Sequence, residues 1–171
     1  MSASTPMPMP SKSLPPPFRV VYMSRSKPLR RVMANEKDFI ASLETLEMES
    51  DGGIVFSAVD PAEIPIGDQL KLFSTADLLM APHGASLTWL VLQPPTCSQV
   101  IEFKATGNYH YENLAHYAGV SHRFLEARPP MAWGSSTFNA NVPGAVEAVV
   151  AAKANWEECV KEIEWARAAL L

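Results

Sequence analysis

The chain has few cysteines, a small net charge and no long apolar run. Its 171 residues include two cysteines and carry a formal net charge of −4 at pH 7. Surfaces that follow nucleic-acid phosphates are usually basic, so this balance excludes nucleic acid as the main partner. A bilayer-spanning helix needs about 20 apolar residues, and we expect no membrane segment in this chain. Any recognition of an anion must therefore be local.

The N-terminal residues 1–17, MSASTPMPMPSKSLPPP, lack the basic start and the apolar stretch of a signal peptide. Their proline content predicts a disordered leader, or a terminus created by truncation of a longer gene product. The leader therefore gives no signal for a compartment.

The two cysteines, Cys97 and Cys159, are far apart and have no companions at metal-ligand spacing. Free cysteines are commonly buried, so two buried thiols are one interpretation and a single disulfide is the other. Both stay open at this point, and so does the redox compartment.

Apolar strands alternate with helices along most of the chain. The predicted strands are residues 18–24, 52–59, 77–82, 98–103 and 120–126, and the predicted helices are 35–50, 65–76, 84–93, 109–119 and 143–171. The strands are too continuously apolar for a one-sided sheet, which predicts an α/β fold with one doubly wound, mainly parallel sheet over residues 18–127. A loop over 128–142 and a C-terminal helix over 143–171, packed on the domain, complete the prediction.

The segment PHGAS, from Pro82 to Ser86, interrupts the most apolar region of the chain. In a parallel sheet, ligands bind beyond the carboxyl ends of the strands, where helix N-termini present unpaired amides. Gly84 lets the backbone approach a ligand, and His83 adds a side-chain donor. The amides and hydroxyls suited to a diphosphate belong to Ala85, Ser86, Leu87 and Thr88. An exposed His83 beside a helix cap formed by Ser86 is the simpler alternative.

A basic loop, SRSKPLRR, spans Ser24 to Arg31 directly after the first strand. Arginine side chains such as Arg25 and Arg30 can make bidentate contacts to phosphate. A solvated, solubilising loop is the alternative. Because short loops of a parallel sheet meet at one edge, we expect this loop to lie near the PHGAS turn.

Other polar and aromatic residues give weaker signals. Glu102 ends the fourth strand at the same edge, where it could accept hydrogen bonds from a ribose or form a structural ion pair. Tyr109 and Tyr111 could stack on a base or sugar, or pack in the core. Three histidines without ligand spacing are interpreted as surface or helix residues and predict no metal site: His110, His116 and His122. Dinucleotide, Walker and nucleophile-elbow motifs are absent, which weighs against the common dehydrogenase, NTPase and hydrolase classes.

Three ordered segments resemble the signature of glycosyltransferase family 61. ADLLMAPHGASLTWLVLQPPTCSQVIEF, residues 76–103, is similar to the family's motif D-[apolar]-x-G-x-H-G-A-G-L-T-N, followed by F-[apolar]-P-P and an apolar strand ending in Glu. VVYMSRSKPLRRVMANEKDF resembles the family's strand with its S-R, R-R and N-E segment. GDQLKLFSTADLL resembles its E-Q-[apolar] helix. The resemblance covers Phe18 to Glu126.

This resemblance implies an inverting transferase of GT-B architecture that acts in the secretory pathway, in the Golgi or endoplasmic reticulum lumen, on a glycan or glycoprotein acceptor. The chain would be the C-terminal, donor-side, Rossmann-like half, with the N-terminal half missing. No cofactor and no metal are expected, and a UDP-sugar would be the donor substrate. The resemblance assigns the catalytic role to His83, which would stabilise the departing diphosphate. It places the nucleotide sugar against Arg25, Arg30, Gly84, Ala85, Ser86, Leu87 and Thr88; Glu102 completes the expected site.

Two departures from the family pattern bear on the expected site. Ser86 stands where the motif has its third glycine, and Trp89 stands where it has Asn. The general base that activates the acceptor hydroxyl normally comes from the other half of a GT-B enzyme. These departures leave two alternatives to a donor-binding half of an enzyme: a non-catalytic nucleotide-sugar-binding or regulatory module that has lost turnover, and a structural remnant that binds nothing.

Overall fold

The computed structural model describes residues 16–25, 31–105, 109–131 and 137–168. Most of the predicted leader, residues 1–15, and the predicted phosphate contact Arg30 lie outside these ranges.

Strands and helices alternate through the described residues, as predicted. The strands are β1 (Phe18–Met23), β2 (Val32–Met33), β3 (Ile54–Val59), β4 (Leu78–Pro82), β5 (Gln99–Ala105), β6 (Ser121–Met131) and β7 (Thr137–Ala140). The α-helices are α1 (Glu36–Glu49), α2 (Ile66–Ser74), α3 (His110–Ala118) and α4 (Val142–Ala168), and a 3-10 helix spans Ala85–Leu92.

The strands form one mainly parallel sheet in the order β2-β7-β6-β5-β4-β1-β3. Strands β3, β1, β4, β5 and β6 pair in parallel with their neighbours, which confirms the predicted parallel core. In chain order these five strands read 2-1-3-4-5, one of the two common doubly wound arrangements. The order reverses between β1 and β4, and this reversal fixes where the sheet can open to a ligand.

Both faces of the sheet are covered by helices. Side chains of successive strand residues point to opposite faces, so one strand contributes to a buried cluster on each face. Val20 of β1 belongs to a buried cluster with Phe39 of α1 and Trp156 of α4. Val21, the next residue, belongs to a second cluster on the other face with Phe73 of α2. Strand β4 is buried over its whole length, as its unbroken apolar sequence predicts.

The expected loop over residues 128–142 was wrong for much of its length. Strand β6 continues to Met131, and β7 returns antiparallel to it, pairing Ala140 with Ala127. The short sequence TFNA alternates exposed and buried residues, so that Phe138 packs into the core. A strand of four residues between proline-rich segments carries too little periodicity to be recognised before its pairing partner is known.

The helix predicted over residues 84–93 is a 3-10 helix that is buried on one side only. Leu87 and Leu90 are buried, whereas Thr88 and Val91, one position later in each turn, are exposed. Three residues per turn make every third side chain eclipse, so the burial repeats with a period of three. An α-helical period would instead have spread these apolar residues around the helix.

Cys97 and Cys159 form a disulfide, with their Cα atoms 5.7 Å apart. The bond joins the segment before β5 to the interior of α4 across 62 residues of chain. The interpretation as two free thiols was therefore wrong, and the disulfide alternative is the one realised. No helix in the described ranges is long and apolar enough to cross a membrane.

Candidate functional site

The strand order reverses at the carboxyl ends of β1 and β4, the place at which doubly wound folds open a ligand crevice. The chain leaves β1 towards β3 on one side and later returns to β4 on the other side of β1. The connections after β1 and β4 therefore diverge, and doubly wound folds bind their ligands at such a reversal. Arg25 follows β1 and the PHGAS turn ends β4, so the two segments expected to share an edge lie at neighbouring strands.

The side chain of Arg25 lies against the backbone of Gly84. A Cβ atom placed on Gly84 would be 3.0 Å from both terminal guanidinium nitrogens, Nη1 and Nη2. Gly84 has φ of 163°, an extended conformation open to any residue, so the glycine is needed for this close approach and not for its backbone angles. The structure thus brings together two residues that were predicted to contact the same ligand.

Two polar atoms at this crevice have no hydrogen-bond partner among the described residues. Nη1 of Arg25 and Oγ of Ser86 are both buried and unpaired. Buried polar atoms are nearly always satisfied, and an unpaired one costs about 1–3 kcal/mol. A guanidinium N–H and a hydroxyl O–H are both donors, so a single ligand rich in acceptor oxygens could satisfy them together.

The turn amides divide into free and occupied ones. The amide of Leu87 donates to the carbonyl of Gly84 at 2.9 Å, the first bond of the 3-10 helix. The helix therefore provides no acceptor for the preceding amides of Ala85 and Ser86. Leu87 was expected to offer its amide to an anion; in this structure the tight helix uses that amide internally.

Thr88 keeps part of its hydrogen-bonding capacity within the turn. Its hydroxyl donates to the carbonyl of Ala85 at 2.7 Å, while the residue remains exposed. The hydroxyl proton is thus occupied, and only its lone pairs remain for another partner. Thr88 stabilises the turn more directly than it offers a donor to a ligand.

Behind the turn, the carboxylate of Glu102 binds two imidazoles. Its Oε1 pairs with Nδ1 of His83, and its Oε2 lies 2.9 Å from Nε2 of His122. All three side chains are at most 5% exposed. Of the two alternatives for Glu102, the structural role is the one that these contacts favour, since the buried carboxylate is hydrogen-bonded to two imidazoles.

His122 was interpreted as a surface or helix residue, and this was wrong. It lies on β6, where it pairs with Val100, and alternation places it on the same face as Glu102 two residues further along β5. Ala81 pairs with Glu102, so His83 also reaches that face by the same two-residue alternation. The register of three strands creates this cluster, and register was not available from the sequence.

The charges around the crevice alter the pKa values of its groups. Burial raises the pKa of the Glu102 carboxyl, but hydrogen bonds from His122 and His83 outweigh burial and leave it below its usual value. Burial, and then the charge of Arg31, lower the pKa of Arg25. Arg31, the last residue of the basic loop, is therefore close enough to contribute positive charge to the crevice.

The two tyrosines considered as stacking residues lie in different surroundings. Tyr111 is half-buried and places its ring edge-on to His83, with centroids 5.2 Å apart. Burial, and then the Glu102 carboxylate, raise the pKa of its phenol. Tyr109 is 52% exposed, and the ammonium of Lys104 lies 4.5 Å from its ring centroid. Tyr111 thus borders the site, while Tyr109 lies towards solvent.

Trp89, which replaces the motif asparagine, packs away from the crevice. Its ring stacks on Phe73 of α2 with centroids 5.2 Å apart and belongs to the second core cluster. The departure from the family motif is therefore explained by packing between the 3-10 helix and α2. It leaves Arg25, Gly84 and Ser86 in place.

The fold and the crevice define a doubly wound α/β domain with a basic, glycine-containing turn at its switch point, a class that commonly holds phosphorylated ligands there. The model of the family described as glycosyltransferase 61 matches residues 4–101, more than half of the chain. The chain belongs to this family, which confirms the resemblance read from its motifs. The match includes His83 and the turn and ends one residue before Glu102.

A relative from Drosophila melanogaster is named EGF domain-specific O-linked N-acetylglucosamine transferase. It is 29% identical over 111 residues, which make up 65% of this chain and 20% of the relative. The chain therefore spans about one fifth of the length of this relative.

Proposed function

We propose that this chain is the donor-binding half of an inverting, metal-independent glycosyltransferase that uses a UDP-sugar. It would correspond to the C-terminal, Rossmann-like half of a GT-B enzyme, with acceptor contacts and the general base supplied by residues outside this chain. The observation that carries the proposal is the pair of unpaired donors, Arg25 Nη1 and Ser86 Oγ, at the switch point of a family 61 chain. A diphosphate has acceptor oxygens to which both donors could form hydrogen bonds.

The residues of the crevice suit a diphosphate in their chemistry. The guanidinium of Arg25 would donate to one phosphate as a fork, and Arg31 would add positive charge nearby. The free amides of Ala85 and Ser86 would donate to the same group across the space left by Gly84. His83 would donate from its ring to the oxygen that becomes more negative as the sugar leaves. Such preorganised donors stabilise a departing diphosphate without a metal ion.

The Drosophila relative and the disulfide support a choice of acceptor and of compartment. The Drosophila relative's name supports a protein acceptor and an N-acetylglucosamine donor as the first substrates to test. The Cys97–Cys159 disulfide supports an oxidising compartment such as the Golgi or endoplasmic reticulum lumen, because disulfides are rare in the cytosol. We propose luminal glycosylation of a glycan or glycoprotein as the setting.

The direct test is titration calorimetry of the chain with UDP and a panel of UDP-sugars that includes UDP-N-acetylglucosamine. We expect the wild type to bind UDP, and His83→Ala and Arg25→Lys to weaken binding by tenfold or more, the size of about one charged hydrogen bond. Arg19→Lys is the matched control, because Arg19 is an exposed residue of β1. Absence of binding to every nucleotide, or equal affinity of all three variants and the wild type, would refute the proposal.

A nucleotide-sugar-binding module without turnover is the second candidate. Ser86 in place of the motif glycine, and Trp89 in place of the motif asparagine, favour it. UDP binding without sugar transfer or donor hydrolysis, measured with the chain alone and with the remaining part of a longer family member, would support this candidate. Transfer by either preparation would support the enzyme.

A further inference from the structure

Glu102 connects His83 of the turn to His122, a residue outside the turn. Each of its carboxylate oxygens faces one imidazole nitrogen, Nδ1 of His83 and Nε2 of His122. His122 lies on β6, beyond the end of the family match at Ile101. The buried cluster therefore continues the candidate site into a strand beyond the residues that the family model matches.

The direction of both hydrogen bonds follows from the chemistry of the groups. An ionised carboxylate only accepts, so both facing nitrogens must carry protons. The lowered pKa of Glu102 agrees with an ionised carboxylate. The other nitrogen of His122, Nδ1, is buried and has no partner among the described residues. A proton on that nitrogen would be a buried donor without an acceptor among the described residues, whereas a proton on Nε2 has the Glu102 carboxylate as its acceptor.

We propose that His122 is a positioning residue of this site. By donating to Oε2 it fixes the carboxylate of Glu102, whose Oε1 then holds His83 with its proton on Nδ1. The ring nitrogen that His83 presents to a ligand at the turn is consequently Nε2. His122 acts through Glu102 and does not itself contact the ligand.

This arrangement has a consequence for nucleotide binding, which rests on the proposed function. A diphosphate oxygen is an acceptor, so His83 must carry a proton on Nε2 as well when it binds one. If the free ring is neutral, binding takes up one proton from solvent and produces an imidazolium between Glu102 and the diphosphate. Among the described residues, the charged and titratable groups around it are Glu102 and His122 from β5 and β6, Tyr111 from α3, and Arg25 and Arg31 at the two ends of the basic loop.

The first experiment places the protons in the ligand-free chain by long-range proton–nitrogen correlation spectra after labelling the histidines with ¹⁵N. The chain has four histidines, so individual substitutions assign every signal. Above the pH at which the rings become neutral, we expect His83 to carry its proton on Nδ1 and His122 on Nε2. His83 with its proton on Nε2 would overturn the proposal. This result is independent of nucleotide binding, so it separates failure of the proposal from failure of the proposed function.

The second experiment compares His122→Ala with His122→Gln. The glutamine amide can still donate to Glu102, whereas alanine cannot. We expect His83 of the His122→Ala variant to be a mixture of two tautomers. UDP binding should weaken on the order of tenfold, the lower end of the loss in metal affinity when a metal-binding histidine loses its orienting partner. His122→Gln should retain the Nδ1 proton of His83 and most of the affinity. The exposed His116→Ala is the matched control.

Either of two results would overturn the positioning role: unchanged His83 spectra in folded His122→Ala, or no difference between the alanine and glutamine variants. Circular dichroism establishes which variants are folded. If His122→Ala does not fold, the wild-type and His122→Gln spectra still decide the proton positions. A His122→Gln variant that is folded but has lost the Nδ1 proton of His83 would also contradict the proposal.

Discussion

The guanidinium of Arg25 packs against the α-carbon of Gly84 at the point where the strand order reverses. No Cβ atom fits there without displacing Nη1 and Nη2, each 3.0 Å from its position. The two residues are 59 positions apart in sequence and follow neighbouring strands. Their contact is therefore a product of the parallel pairing of β1 with β4. Five predictions test this crevice and the framework that holds it.

Gly84→Ala should move Arg25 and leave the fold intact. The added methyl group meets the far end of a flexible side chain, and the backbone of Gly84 is already extended. We expect UDP affinity to fall by about tenfold, because one charged hydrogen bond is lost or misplaced, with little change in melting temperature. Gly67→Ala is the matched control, since nothing lies within 4 Å of its added Cβ. Equal loss of affinity in both variants would contradict the Arg25 contact.

Ser86→Ala should weaken UDP binding without lowering the free energy of unfolding. The Ser86 hydroxyl is buried and unpaired, so removing it should leave the free energy of unfolding unchanged or raise it by up to about 1 kcal/mol. If the hydroxyl donates to a phosphate, UDP affinity should fall several-fold at the same time. Urea unfolding and calorimetric titration of the same preparation give both quantities. A variant that loses stability and retains affinity would show that the hydroxyl is structural.

Trp89→Asn, which restores the residue of the family motif, should destabilise the chain without improving binding. Trp89 stacks on Phe73, and the replacement leaves that face of α2 uncovered. We expect a loss of about 2 kcal/mol, less than for a fully buried tryptophan because Trp89 is only partly buried. Trp89→Phe should lose less, because an aromatic ring can still cover Phe73. Tighter UDP binding by the asparagine variant would show that position 89 contributes to the crevice.

Replacing both cysteines by serine should lower the free energy of unfolding by about 4 kcal/mol, the loop-entropy estimate for a closed loop of 62 residues. The disulfide joins α4 to the segment before β5. Without this bond the unfolded chain has more conformations available, which favours unfolding. Guanidinium unfolding of the double variant measures the effect. Wild type treated with a reducing agent should show a comparable loss. Full stability after reduction would mean that the bond contributes nothing under these conditions.

Glu102→Gln should remove a pH-dependent part of the stability. The native pKa of Glu102 lies below the ordinary value of 4.5, so its ionised form stabilises the fold above that pH. This stabilisation is lost as the pH falls below 4.5 and through the lower native pKa. The difference in unfolding free energy between wild type and variant should therefore be large at pH 7 and shrink towards pH 3. Glu112→Gln, at an exposed position of α3, should show no such dependence.

Much of the fold was predictable because burial on both faces leaves a local pattern. The unbroken apolar sequence of β4 and the alternation of strands with helices indicated a parallel, doubly wound sheet, and the five parallel strands confirm it. Strand β7 was missed because four residues carry almost no periodicity. A helix was predicted over residues 84–93, but its 3-10 period was not, because a mostly apolar run looks the same at either period.

The turn itself was also predictable, because glycine, histidine and serine rarely interrupt an apolar run without a role at a strand end. The sequence determined the class of fold, the family and the position of the PHGAS turn beside a basic loop. The tertiary structure decided which of these residues face each other. It placed Arg25 on Gly84, turned Trp89 towards α2 and joined His83 to Glu102 and His122. The reason is strand register: it is set by packing across the whole sheet, and no local pattern records it.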